Sequence, residues 1–234
     1  MKHYQTLLFD LDDTLLDFGQ AENQALEKLF MELAIPLTKD MRETYKMFNT
    51  GLWRAHEEGK IGREELVNTR FAIFFEHYGK KVDGAEYERK YRSYLNDGHQ
   101  LIEGAMELIQ TLRDKFELYI VTNGVVATQE KRLKDSGLSP YFHHVFVSEE
   151  VGYQKPKLEF FDHVFQKLSH VDKAKTLIIG DSLTSDIQGG VNAGIDTCWY
   201  NPHAKKNNID VQPTYEIRKL EELGRILNTS LNHK

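Results

Sequence analysis

The sequence predicts a doubly wound α/β fold: a parallel, Rossmann-like sheet interrupted after its first strand by an α-helical insertion. Three observations predict it. Short apolar runs recur with little alternation, the pattern of strands covered on both faces. Segments of helical periodicity lie between those runs, the rhythm of βαβ units. Residues 18–98 break the rhythm, with apolar residues at helical spacing and almost no strand-like run.

Taken in order, the first run covers 6–9 and stops at Asp10. Helical spacing follows in Ala25, Leu26, Leu29, Phe30 and Leu33, and again in Leu66, Arg70, Phe71, Phe74 and Phe75. Ile35-Pro36-Leu37, Gly59-Lys60-Ile61-Gly62 and Lys81-Val82-Asp83-Gly84 are breaks between helices. The charged run 86–92 reads as the solvated face of one of them. The α/β rhythm then resumes, with strands over 118–121, 145–147, 176–179 and 197–200. Helices are expected over 105–115, 126–136, 158–168 and 185–193. Ser136-Gly137 and Ala193-Gly194 are helix stops. The expected domains are an α/β core, 1–17 with 99–234, and a helical insertion, 18–98. The tail, 228–234, is polar and reads as frayed.

The chain has 234 residues, 40% hydrophobic and 28% charged, enough for a sizeable core without covalent staples. A net charge of −6 argues against general affinity for nucleic-acid polymers or anionic membranes. The single cysteine, Cys198, excludes an intramolecular disulfide framework and fits a reducing compartment. No secretory segment or membrane span is evident, so a cytoplasmic protein is expected.

In an open α/β sheet the ligand site lies beyond the carboxyl ends of the strands. Asp10 and Asp12 follow the first strand, two acids that are costly on an apolar strand end without a cation or partner. Thr122-Asn123-Gly124 follows the second, Lys155-Pro156 lies in the loop after the third, and Gly180-Asp181 through Asp186 follows the fourth. Together these suit phosphoryl transfer. A phosphate monoester carries about two negative charges near neutral pH. Mg²⁺ held by oxygen ligands neutralises that charge. Asp10 and Asp181 are the expected direct ligands. Asp186 is expected directly or through water, and Asp12 through its backbone carbonyl, which leaves its carboxyl for proton transfer. Lys155 supplies fixed positive charge. The Thr122 hydroxyl and the N–H groups of Asn123 and Gly124 are expected to hold phosphate oxygens.

The ordered set resembles the haloacid dehalogenase superfamily, in its phosphatase branch, across the whole chain. Asp10-Leu11-Asp12-Asp13-Thr14 looks like its first motif, Thr122-Asn123 its second, Lys155-Pro156 its third, and Gly180-Asp181 with Asp186 its fourth. The insertion looks like its C1-type cap. The resemblance implies that Asp10 attacks phosphorus to form an aspartyl-phosphate. Asp12 then protonates the leaving alkoxide and afterwards activates water. Halide displacement needs no such acid, so Asp12 favours phosphate esters.

The resemblance also implies that the cap selects the leaving group. Leu52-Trp53-Arg54-Ala55-His56-Glu57-Glu58-Gly59-Lys60-Ile61, Glu65-Leu66, Arg70-Phe71 and Cys198-Trp199-Tyr200-Asn201-Pro202 are similar to bacterial pyrimidine 5′-nucleotidases of this superfamily, which act on non-canonical nucleoside monophosphates. Trp53 would stack on a base, and Arg54 or Arg70 would contact it. The alternative is a sugar-phosphate or phosphoglycolate-type phosphatase. A remote alternative is a serine esterase using Ser182 in Gly180-Asp181-Ser182-Leu183. That tetrapeptide lies late in the chain, however, and no Asp-x-x-His follows it. The expected partner is a small phosphate monoester; the oligomeric state is left open.

Overall fold

The computed structural model describes residues 2–229; of the tail expected to fray, 230–234 lie outside them. Clustering of backbone contacts divides the chain into two units, residues 1–18 with 99–234, and residues 19–98.

The first unit is built on a parallel sheet of strands β1 (Thr6–Phe9), β2 (Glu117–Thr122), β3 (His144–Val147), β4 (Thr176–Gly180), β5 (Asp196–Tyr200) and β6 (Tyr215–Ile217). Their order is β3-β2-β1-β4-β5-β6. Phe9 pairs with Ile120 on one side and Ile179 on the other, so three strand ends lie level. The order reverses at β1, between β2 and β4, and this is where open α/β sheets form their crevice.

Why the strands read as continuous apolar runs is visible in the packing. Leu7, Phe9, Leu118, Ile120, Leu177 and Ile179 share one buried cluster with residues of a helix over Ala105–Leu112. The intervening Leu8, Tyr119, Val121 and Ile178 point to the opposite cluster, against Phe160, Phe161 and Val164 of Leu158–Lys167. Side chains alternate, but both faces are covered, so no polar alternation survives. Four of the strands extend a residue or two beyond the expected spans, and the expected helix over 185–193 begins instead as a π-helical turn, Leu183–Ile187, before Gln188–Ala193. Sequence reading passed over β6: three residues on a sheet edge are too short to show a period.

The second unit carries helices α1 (Phe18–Glu32), α2 (Lys39–Glu57), α3 (Arg63–His77) and α4 (Gly84–Leu95). All three expected breaks fall between them. Thr38 caps α2 through Met41 N–H, and Asp83 caps α4 through the N–H groups of Ala85 and Glu86. Phe30, Tyr45, Phe71, Phe74, Phe75 and Tyr91 form its aromatic core; Phe74 meets Phe30 edge-on at 6.0 Å.

Two expectations for this unit need correction. Glu88, inside the run read as solvated, is 4% exposed and receives a 2.7 Å hydrogen bond from Arg70 Nε. Arg70, expected to contact a substrate, is itself 2% exposed and also donates to Asn49 Oδ1 at 3.2 Å. Its guanidinium holds α3 to α2 and α4 within the unit. Helical spacing had put Arg70 on the apolar face; only the fold supplies the acid that makes burial there tolerable.

Candidate active site

Four strand ends build the site, each with a local reason for its shape. Asp10 extends the ladder, donating its N–H to Ile179 O at 2.9 Å, and the chain then folds tightly. Leu15 and Leu16 N–H both return to Leu11 O, and Asp13 sits at φ +56°, a region that Asp tolerates better than most side chains. After β4, Gly180 is required: a Cβ there would lie 2.2 Å from the Asp186 carboxylate. The π-helical turn brings Asp186 back under that strand end, where Ser182 N–H donates to Asp186 Oδ2 at 3.0 Å.

Lys155 is the centre of the arrangement. It is 1% exposed, and its ammonium group donates to Asp10 Oδ1 at 2.7 Å, Asp186 Oδ1 at 2.5 Å and Val121 O at 2.7 Å, using all three donors. Burial alone would lower its proton affinity; the carboxylates of Asp10 and Asp186 more than offset this and hold it charged. Asn123 grips the Lys155 peptide from both sides, donating to its carbonyl and accepting from its N–H, each at 2.9 Å.

Asp10, Asp181 and Asp186 bring carboxylate oxygens within 4.8 Å of one another, with one lysine to balance three acids. Burial, then the charges of Asp186 and Asp12, push the Asp10 carboxyl up to about 8, against the opposing pull of Lys155. Burial and the Asp186 and Asp10 charges likewise raise Asp181 well above the carboxylate range. Asp181 receives no side-chain hydrogen bond from any described residue; its carbonyl accepts from Trp199 Nε1 at 2.9 Å. Crowded, under-compensated carboxylates of this kind suit a hard divalent cation with oxygen ligands. The donor set fits Mg²⁺, through Asp10 and Asp181 first. Asp186 already spends Oδ1 on Lys155 and Oδ2 on Ser182 N–H.

The remaining expected residues divide. The Thr122 hydroxyl is buried and accepts from Gly124 N–H at 3.2 Å and Gln129 Nε2 at 2.9 Å. A Cβ on Gly124 would meet the Gln129 side chain at 2.5 Å, so this glycine makes room for Gln129. The Asn123 side chain holds Lys155, a role not foreseen for it. Ser182 Oγ accepts from Ser185 N–H at 3.2 Å and lies 3.2 Å from Thr184 Oγ1, contacts within its own turn. Trp53 is half-buried, edge-on to His56 at 5.9 Å, and Arg54 is exposed and paired with Glu58.

Sequence reasoning missed two residues. Gln129 and Arg132, 1% and 0% exposed, lie on α5 of the core (Val126–Asp135) and both bind the Asp12 carboxylate. The available signal was Gln and Arg spaced i,i+3 on the face that also carries Leu133. A cavity of about 450 Å³ lined by Gln5, Thr6, Lys115 and Glu117 lies at the opposite, N-terminal end of β1 and β2 and is unrelated to this cluster.

Residues 4–194 match the family model for haloacid dehalogenase-like hydrolases. The chain belongs to that family. Among haloacid dehalogenase-like relatives, it is 59% identical to YfnB of Bacillus subtilis, named as a HAD-hydrolase, over 97% of each chain. A crystal structure of YfnB bound to magnesium superimposes with a TM-score of 0.93 over 97% of this chain and 100% of that one, at 58% identity. The pyrimidine 5′-nucleotidase PynA of Streptococcus pneumoniae is 45% identical over 99% of this chain and 98% of its own. The pyrimidine 5′-nucleotidase YjjG of Escherichia coli is 31% identical over 94% and 96%. No helix among the described residues is long and apolar enough to cross a membrane.

A substitution at Gly180 tests the acid cluster directly. Gly180→Ala drives a methyl group into Asp186, displacing the acid that anchors Lys155. Turnover is expected to fall by about tenfold or more, and the melting shift on adding Mg²⁺ to shrink; parallel kinetics and thermal melts measure both.

Proposed function

We propose that the protein is a Mg²⁺-dependent phosphomonoesterase that works through an aspartyl-phosphate and removes the 5′-phosphate of pyrimidine nucleoside monophosphates, including non-canonical ones. The observation that carries the chemistry is the meeting of Asp10, Lys155, Asp181 and Asp186, with Lys155 bonded to both Asp10 and Asp186 and Asp12 two residues on from Asp10. Full-length likeness to two pyrimidine 5′-nucleotidases supports the substrate class.

Bound at Asp10 and Asp181, Mg²⁺ supplies the positive charge that lets an anionic nucleophile meet an anionic ester. The chain's own groups do the rest. Lys155 holds Asp10 Oδ1, fixing the carboxylate, while Oδ2 has only a 3.4 Å contact from Thr14 Oγ1. Asp10 attacks phosphorus in line, and the P–O bond to the nucleoside breaks. Asp12 gives the leaving oxygen a proton, then accepts one from the water that cleaves the Asp10 acyl phosphate. The Thr122 hydroxyl and the backbone of Asn123 and Gly124 receive phosphoryl oxygens. Asp186 serves by anchoring Lys155 and the turn at Ser182.

A panel of nucleoside monophosphates, sugar phosphates and phosphoglycolate, with released phosphate measured with and without Mg²⁺, tests the reading. Pyrimidine monophosphates are expected to lead by about tenfold or more in kcat/KM. A lead for a sugar phosphate or phosphoglycolate rejects the nucleotidase assignment but keeps the phosphatase. We assign substrate choice to the helical unit, with Trp53 its principal determinant and Arg54 secondary. Trp53→Ala is then expected to reorder the panel while changing turnover of p-nitrophenyl phosphate little. An unchanged order removes Trp53 from the account.

A further inference from the structure

We propose that Gln129 and Arg132 are positioning residues for Asp12: together they hold both oxygens of its carboxylate and tie it to the Thr122 hydroxyl. This rests on the reading of Asp12 as the proton donor and acceptor. Arg132 Nη1 donates to Asp12 Oδ1, and Gln129 Nε2 donates to Asp12 Oδ2 at 2.8 Å. The same Gln129 amide nitrogen donates to Thr122 Oγ1 at 2.9 Å, and its Oε1 accepts from Arg132 Nη1 at 3.2 Å. One closed network thus links the group that moves the proton to a group that receives the phosphoryl oxygens.

Stability alone is a poor explanation for this network. Arg132 is 0% exposed, and its side chain pairs with a carboxylate that remains 28% exposed. Burying a guanidinium costs several kcal/mol before any pairing, and a buried ion pair is often matched or bettered by apolar residues of the same volume. An apolar side chain would hold the helix Val126–Asp135 to the sheet as well as Arg132 does. It would not aim a carboxylate. Gly124 points the same way, because the missing Cβ is what leaves room for Gln129. Proton transfer requires a heavy-atom approach within hydrogen-bond reach of the leaving oxygen, and a free Asp rotates about two bonds. Two donors from one rigid helix, one to each oxygen, remove that freedom.

Arg132 bonds Asp12, which moves the proton, and Gln129, so its effect depends on the leaving group. A nucleoside alkoxide needs the proton; a 2,4-dinitrophenolate leaves without one. Arg132→Met, Arg132→Lys, Gln129→Leu and Asp12→Asn in the full chain with Mg²⁺ test this. Steady-state turnover of dUMP is measured beside the pre-steady-state burst of 2,4-dinitrophenolate from its phosphate ester. Arg132→Met and Gln129→Leu are expected to lower kcat on dUMP by about 10²-fold, the low end of acid–base contributions, with KM changed far less. The dinitrophenolate burst should slow by only a small factor, and Arg132→Lys should recover part of the dUMP loss. In the Asp12→Asn background, removing Arg132 should cost nothing further, because the carboxylate it aims is gone.

Equal losses on both substrates, or a further loss in the double variant, would overturn the proposal and leave Arg132 and Gln129 as packing residues. Gln129→Leu leaves the Arg132–Asp12 pair intact, so it decides the question if Arg132→Met does not fold. If Asp12→Asn itself impairs both substrates equally, the acid–base reading of Asp12 fails. If Asp12→Asn separates the substrates and the Gln129 and Arg132 variants do not, only the positioning role fails.

Discussion

Asp10→Asn folds and releases no phosphate. The substitution keeps the side chain's size and removes its charge, and the turn after β1 does not depend on that charge: its bonds run between backbone groups, such as Leu15 N–H to Leu11 O. Lys155 keeps two of its three acceptors, Asp186 Oδ1 and Val121 O. Stability of the metal-free protein therefore holds or rises, because burial already works against the ionised Asp10. Catalysis has no such reserve. An amide oxygen cannot form the acyl phosphate, and the loss is expected on the order of 10⁴-fold or more, the scale seen when a nucleophile is removed. Thermal melts and phosphate release on one preparation separate the two claims. Retained turnover in a folded Asp10→Asn protein puts the nucleophile elsewhere.

Removing the metal is the second large effect. Chelation is expected to abolish turnover, since three crowded carboxylates and an approaching phosphate dianion then face each other with Lys155 the one lysine ion-paired to them among the described residues. Stability responds too. With free Mg²⁺ at 100 times its Kd the folded state gains about 2.7 kcal/mol. For a chain of this length that corresponds to a melting shift of about 5–10 °C. The shift has a pH sign. Asp10 is pushed up from 3.8 to about 8 in the folded, metal-free protein, so the unfolded chain gives up that proton first. Stability contributed by protonated Asp10 is present below its unfolded value and is lost as pH rises through the window from 3.8 to about 8. Melts across that window, with chelator and with Mg²⁺, are expected to diverge as pH rises. A constant gap removes Asp10 from the metal shell.

Much of this was legible beforehand. The five longer strands announced themselves because their centres, such as Leu7 through Phe9 and Leu177 through Ile179, are covered on both faces and so show no polar alternation. Each motif stood at a strand end or in the loop that follows one, so the sheet's parallel order placed Asp10, Lys155 and Asp181 together without any knowledge of distances. What stayed hidden depends on partners distant in sequence. Arg70 looks like a surface or ligand-binding arginine until Glu88 and Asn49 are packed against it. Gln129 and Arg132 sit on a helix of mostly polar residues, where nothing local tells a buried guanidinium from a solvated one. Asn123 was read as a phosphate ligand because its turn was recognised. That reading concerned its N–H; what it did not show is the side chain, which holds the peptide of Lys155, 32 residues away.

The central claim is that Asp10 carries the phosphoryl group between substrate and water. Rapid acid quench of the Asp12→Asn variant turning over 2,4-dinitrophenyl phosphate, followed by borohydride reduction and peptide mass spectrometry, reads it directly, because reduction converts an aspartyl-phosphate to homoserine. The account predicts homoserine at position 10 and at no other aspartate. Homoserine at Asp13 or Asp181 instead would contradict it.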